Sequence, residues 1–293
     1  MTLLAAVAGA AMISFSAILF GLSETSPTTG AFFREAYAVP VLAVIWLAGR
    51  SRDRRPMARR WIALGSGLAL GADTVVWHQS IDYIGAGLAT LIANTSVVFV
   101  AVGAWLFLKE KPRPATMVAI PVILIGVTLV SGAGQGDAYG QSPLLGTGLA
   151  IAAAVFYAIF MLAFRHSNVE QAPGAGPLLE ATFGGMVTTL LVAPITGGID
   201  FAISWPSHGW LLTLAISSQV IGWLLIGYAL PRLPAVETAT IILLQPALTM
   251  VWGALIFAER PSTLQILGAV VVLAGVAFVA AARAWREPEP AVV

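Results

Sequence analysis

Thr90–Pro112 reads T-L-I-A-N-T-S-V-V-F-V-A-V-G-A-W-L-F-L-K-E-K-P, and Ala239–Pro261 reads A-T-I-I-L-L-Q-P-A-L-T-M-V-W-G-A-L-I-F-A-E-R-P. Each is an apolar run long enough to cross a bilayer, and each ends abruptly in charge and proline. Glu110 answers Glu259, Pro112 answers Pro261 and Gly126 answers Gly275, always 149 residues apart. An echo at half the length of a 293-residue chain marks a unit built twice.

Composition sets the medium. Apolar residues make up 58% of the chain and charged residues 10%, against about a quarter charged in a soluble domain. So few charges cannot cover a water-facing surface, and the chain must face lipid. There is no cysteine, which excludes disulfides and thiolate metal sites. A net charge of +1 carries no argument for nucleic acid, and none is expected as a partner. The first apolar run has no basic segment ahead of it and no small-residue cleavage site behind it, so it is read as an uncleaved span.

Taking about 20 apolar residues per crossing, ten spans are expected near 3–22, 32–49, 61–81, 86–108, 114–132, 144–164, 178–196, 208–230, 236–257 and 263–282. Thirteen of the fifteen Lys and Arg residues fall in alternate connections, among them Arg50 to Arg60, Lys109 to Arg113, Arg165, Arg232, Arg283 and Arg286. The opposite connections hold only Arg34 and Arg260. The positive-inside rule puts the rich set, and both termini, in the cytoplasm. With five spans per half, the second unit enters the membrane upside down. That is the inverted repeat of secondary transporters, with a site at the interface of the units. The units are expected at 1–137 and 138–293. Trp46, Trp61, Trp205, Trp210 and Trp285 lie at span ends and read as interface anchors.

Polar residues inside spans are costly and tend to face a cavity or a partner. Asp73 lies near the middle of span three, four residues and one helix face from Trp77. It reads equally as a titrating pocket residue or as a buried acid bonded to a neighbouring helix. His78 and Gln79 lie toward the outer end and read as cavity lining. Asn94, Thr95 and Ser96 are consecutive, so at most two can line a pocket; Asn94 is the costliest to leave unpaired, and Phe99 follows. Phe156, Tyr157 and Phe160 in span six, with Gln219, Trp223 and Tyr228 in span eight, form an amide-and-aromatic set suited to an amphipathic solute. Gln245 and Pro246 answer Ser96 and Val97, and Pro246 is expected to kink its helix. Glu35 and Glu180 hold matching places, read either as gating groups or as solvated helix ends. No H-E-x-x-H, G-x-S-x-G or G-x-x-x-x-G-K-[ST] pattern occurs, so neither an enzyme nor an ATP-driven pump is expected. No cofactor, metal or catalytic residue is expected either.

The paired stretches Thr90–Pro112 and Ala239–Pro261, with the glycine-bearing spans after them, resemble the drug/metabolite transporter superfamily, EamA type, over the whole chain. Within it the chain most resembles the YddG-type exporters of aromatic and other amino acids. The resemblance implies an all-α membrane protein of ten transmembrane helices, two inverted five-helix repeats around a central cavity. It also implies amino-acid export across the bacterial inner membrane by alternating access. Cavity positions carried over are His78, Gln79, Asn94, Phe99, Tyr157, Phe160, Trp223, Tyr228, Gln245 and Trp252, with Asp73 and Pro246 for proton coupling or gating. The family places L-x-P in this span; Val97 departs from it, which leaves a kink in span four in doubt. With basic residues seen only at span ends, a substrate carboxylate is expected to meet amides or helix dipoles rather than arginine. The rival readings are an exporter of drugs or hydrophobic cations, for which Asp73 would serve, and, from other classes, a membrane scaffold or enzyme. The chain is expected to act as a monomer, with amino acids and the lipid bilayer as its partners.

Overall fold

A computed structural model describes residues 1–109, 114–167, 174–229, 232–233 and 235–284. Among them every regular element is a helix: α1 Thr2–Ser14, α2 Ser16–Ser23, α3 Pro27–Gly49, α4 Met57–Ala93, α5 Ser96–Leu108, α6 Pro114–Val130, α7 Pro143–Ser167, α8 Ala175–Val192, α9 Ser207–Leu214, α10 Trp223–Ala229, α11 Ala235–Ile256 and α12 Thr263–Ala284. A π-helical stretch, Ala215–Gly222, joins α9 to α10. In lipid every backbone group must be satisfied within the chain, and helices do this locally.

Thr2–Ser23, Pro27–Arg52, Pro143–Ser167, Ala175–Ile195 and Ser207–Ala229 are each long and apolar enough to cross a membrane. Met57–Ala93 and Ser96–Phe107, bent by 44°, form a further run, and Pro114–Val130, Leu243–Ile256 and Thr263–Val279 are shorter apolar helices. Gly85, at φ +80°, breaks α4, so the run holds spans three and four and the count is ten. The Glu259 carboxylate accepts the amides of Ala86 (2.6 Å) and Gly87 (3.1 Å), capping the start of span four with negative charge where the helix presents free N–H groups. Glu110, its sequence partner, lies outside the described residues, as do Pro112 and Trp285.

The two units pack as mirror assignments of each other. Spans two and seven meet as α3 on α8, and spans five and ten as α6 on α12. Span three packs on α8 as span eight packs on α3; α4 packs on α7 as α1 and α2 pack on span eight. The echo reaches single atoms. A side chain added at Gly126 would meet Val272 at 2.7 Å, and one added at Gly275 would meet Ile123 at 2.6 Å; Ile123 and Val272 are themselves 149 residues apart. Lys109 (φ 59°) and Ala258 (φ 53°) end their helices in the same left-handed conformation at the same repeat position. In lipid, helices associate through close backbone approach at small residues rather than through water exclusion. The α4–α8 crossing does this with Gly67 and Gly71 against Gly184 and Gly185.

Pro246 and the Asn94–Ser96 run differ in what they do to the backbone. The helix runs unbroken across Pro246 in α11, whereas span four, which lacks the proline, is interrupted after Ala93. Asn94 Nδ2 donates to the Thr90 carbonyl (2.8 Å) and Thr95 Oγ1 to the Ile92 carbonyl (2.7 Å). Short polar side chains that bond the local backbone compete with the helix ladder. Asn94 is therefore turned onto its own helix.

Candidate functional site: a buried arginine among carboxylates and aromatics

Arg34 was expected at an outer connection. It lies inside the bundle, 7% exposed. The reason is local: Ser26 accepts the Thr29 amide (3.3 Å) as N-cap and Pro27 opens α3. The helix thus starts five residues before the predicted 32, and Arg34 falls two turns into it. The expectation that no fixed positive charge reaches the interior is overturned with it.

The guanidinium is held by its own surroundings. Nε and Nη2 both donate to Gln219 Oε1 (3.1 and 2.9 Å). Arginine only donates, so this fixes the amide's orientation, and Gln219 Nε2 then donates to Thr182 Oγ1 (3.0 Å). Arg34 Nη1 has no hydrogen-bond partner among the described residues. Gln219 sits in the π-helical stretch, an irregularity often found at functional sites. The chain Arg34–Gln219–Thr182 joins α3 of the first unit to α8 and span eight of the second.

Around this chain lie groups from three further faces. The Arg34 guanidinium is 5.9 Å from the Trp77 ring centroid and within electrostatic reach of Asp73, Tyr157 and Glu35. Asp73 is partly buried and accepts no hydrogen bond among the described residues. Trp77 Nε1 is buried without a partner. Phe160 is fully buried, with Tyr157 (5.8 Å), Phe164 (5.1 Å) and Trp223 (5.8 Å, edge on) around it. Asp73, Tyr157, Phe160 and Trp223 are therefore brought together, and Arg34, Gln219, Trp77 and Thr182 join them.

The other candidates are dispersed. His78 was expected to line a cavity toward the outer end of span three. It is fully buried, stacked 3.8 Å from Phe20 at 6°, with Nδ1 3.3 Å from the Pro27 carbonyl and Nε2 unpartnered. Trp252 donates to Ser14 Oγ (3.2 Å) and stacks on Phe15 at 4.7 Å. Gln245, Gln79 and Phe99 are partly buried. Tyr228 is half exposed under Arg232, 4.3 Å from ring centroid to guanidinium. A crevice of ≈ 300 Å³ lined by Ile81, Asp82, Tyr83, Gly85, Tyr139, Gly140 and Gln141 begins at the end of span three, some two turns beyond Asp73.

Glu180 is no solvated helix end. At the basic face it accepts Arg55 (2.8 Å) and Arg60 (2.7 Å), and Arg55 also pairs with Asp53 at 2.9 Å. Trp46, expected as an interface anchor, donates to Asp53 (3.0 Å). This network ties the connection after span two to the start of α8, across the two units. The Arg55 hydrogen bonds, opposed by burial and helped by Trp46, hold the Asp53 carboxyl down at about 2 from 3.8. A depressed acid stabilises the fold above its unfolded value and loses that contribution as pH falls through the folded one. The thermal midpoint of detergent-solubilised protein is therefore expected to drop between pH 4 and about 2. Asp53→Asn is expected to start lower at neutral pH and to show a shallower drop. An equally steep drop in the variant would remove Asp53 from this role.

A ten-helix bundle in two inverted units, with polar side chains gathered where the units meet, is the architecture of a secondary transporter. The chain belongs to the EamA-like transporter family, which matches residues 1–132 and 144–281. It is a multi-pass membrane transporter of a small molecule, not an enzyme. Among its relatives is an uncharacterized transporter of Archaeoglobus fulgidus, 25% identical over 274 residues, covering 90% of this chain and 91% of the relative. Another is the threonine/homoserine exporter RhtA of Escherichia coli K12, 25% identical over 211 residues, covering 71% and 67%. One solved crystal structure shares the fold, with TM-score 0.65 at 17% identity over 97% of this chain and 98% of that one.

Proposed function

We propose that the protein exports neutral amino acids, small and aromatic, across the bacterial inner membrane by alternating access, with both termini in the cytoplasm. The observation that carries this reading is the buried Arg34, anchored on Gln219 with Nη1 left over among the described residues, near the Trp77 ring and within electrostatic reach of Asp73 and Tyr157. An α-amino acid carries one carboxylate and one ammonium group. Nη1 of Arg34 suits the first and Asp73 the second, while Trp77, Tyr157 and Trp223 offer apolar walls to the side chain. The relatives named as threonine/homoserine exporters support the same substrate class. A hydrophobic cation would use Asp73 but would meet Arg34 as a like charge, which disfavours the drug-exporter reading. The units 1–137 and 138–293 are proposed to rock about the α3–α8 and α6–α12 contacts. Between them the Glu180 network closes the cytoplasmic side.

Cells overproducing the protein are expected to grow at concentrations of toxic threonine, phenylalanine or methionine analogues that arrest control cells, and to lose preloaded labelled amino acid faster. Equal sensitivity and equal efflux at confirmed expression would contradict the assignment.

A further inference from the structure

We propose that Glu35 is the proton-binding site of the transport cycle, its proton displaced when a substrate ammonium group enters. The inference rests on the amino-acid reading above. Glu35 follows Arg34 on α3 and is 1% exposed. Both carboxyl oxygens are buried, with no hydrogen-bond partner among the described residues. The carboxyl lies against Gly185 of α8, where an added side-chain carbon would come within 2.5 Å of Oε1, so the glycine makes its room.

Among the described residues no group on α3, or on the helices packed against it, donates a hydrogen bond to it, although the Arg34 guanidinium lies within electrostatic reach. On its own helix, Arg34 spends Nε and Nη2 on Gln219 of the π-helical stretch. On α4, Asp73 is another acid within electrostatic reach. On α8, Thr182 accepts from Gln219, and Glu180, its sequence counterpart, is taken by Arg55 and Arg60. On α9, His208 receives the Tyr37 hydroxyl at Nδ1 (2.6 Å) and turns Nε2 to the Ala202 carbonyl (3.1 Å). A carboxylate without donors in a dry interior is far costlier than the neutral acid, so the substrate-free protein holds Glu35 with its proton.

An ammonium group arriving beside Asp73 adds a second positive charge to that of Arg34 and tips Glu35 to its carboxylate. The O–H bond then breaks and the proton leaves to the side that is open, the cytoplasm. After the amino acid departs outside, Glu35 takes a proton from there and carries it inward. One proton enters for each zwitterion exported, with no other co-reactant.

The test adds L-threonine or L-phenylalanine to purified, weakly buffered protein and reads proton release with a pH dye, alongside calorimetric binding on the same sample. Wild-type protein is expected to release about one proton per amino acid bound. Glu35→Gln is expected to bind with release reduced to near zero. In proteoliposomes, Glu35→Gln is expected to exchange labelled amino acid for unlabelled while losing acceleration by an imposed pH gradient. Binding without release in wild type, or undiminished release from Glu35→Gln, would overturn the assignment to Glu35. Absence of binding in wild type would overturn the amino-acid reading itself, and this proposal with it.

Discussion

Arg34→Lys and Arg34→Ala proteins are expected to lose amino-acid binding by at least about 30-fold, because truncating one partner of a buried, hydrogen-bonded charge pair costs about 2 kcal/mol or more. Arginine sits on Gln219 through two nitrogens and still has Nη1 to offer. Lysine has one nitrogen and no planar fork; bound to Gln219 it reaches no further, and bound to substrate it abandons Gln219. Gln219→Ala separates the two functions. It leaves the guanidinium in place without its anchor and is expected to weaken binding less than Arg34→Ala does. Calorimetry with L-threonine and L-phenylalanine on monodisperse protein checks the ranking. Wild-type affinity in Arg34→Ala would remove the arginine from the site.

Gly184→Ala is expected to be among the most damaging single-methyl changes in the described residues. A side-chain carbon at 184 collides with the Leu64 carbonyl oxygen and comes within 3.0 Å of Gly67 Cα. Both obstacles are backbone, so no rotamer change relieves them, and α4 must move off α8. Effects of this kind exceed about 4 kcal/mol. Because α4 carries Asp73 and α8 carries Thr182, binding should fail along with stability. Gly65→Ala is the control: it lies on α4, the other helix of the crossing, with nothing within 4 Å. There alanine should be neutral or stabilising by up to about 1 kcal/mol. Thermal midpoints by size-exclusion chromatography should separate the two variants by more than ten degrees, on the order expected of so large a difference. Equal midpoints would mean that the crossing is looser than the glycines imply.

Most of the fold was written in features that lipid imposes. Ten apolar runs, the 149-residue echo and the doubled charge-and-proline stops gave the repeat, and Ile123 and Val272 meet their opposite glycines as the echo requires. The site was legible only in part. Asp73, Tyr157, Phe160 and Trp223 were singled out as polar or aromatic residues inside spans, and they cluster. Arg34 was missed because an arginine near the start of an apolar run reads as snorkelling to the interface. Ser26-Pro27, an N-cap followed by proline at the first helical position, was the signal that sets it two turns deeper. The π-helical stretch that carries Gln219 left no sequence mark. Of Asn94, Thr95 and Ser96 at most two were expected to line a pocket; Asn94 and Thr95 bond nearby backbone carbonyls where the helix is interrupted. Pro246 was expected to kink its helix, and the helix continues across it.

The most direct measurement is counterflow in proteoliposomes loaded with unlabelled L-threonine. External labelled L-threonine and L-phenylalanine are predicted to accumulate transiently above equilibrium, while amines lacking the carboxylate and acids lacking the ammonium group are not. Amines exchanging as fast as the parent amino acids would contradict recognition by Arg34, and no exchange of any amino acid would contradict the account as a whole.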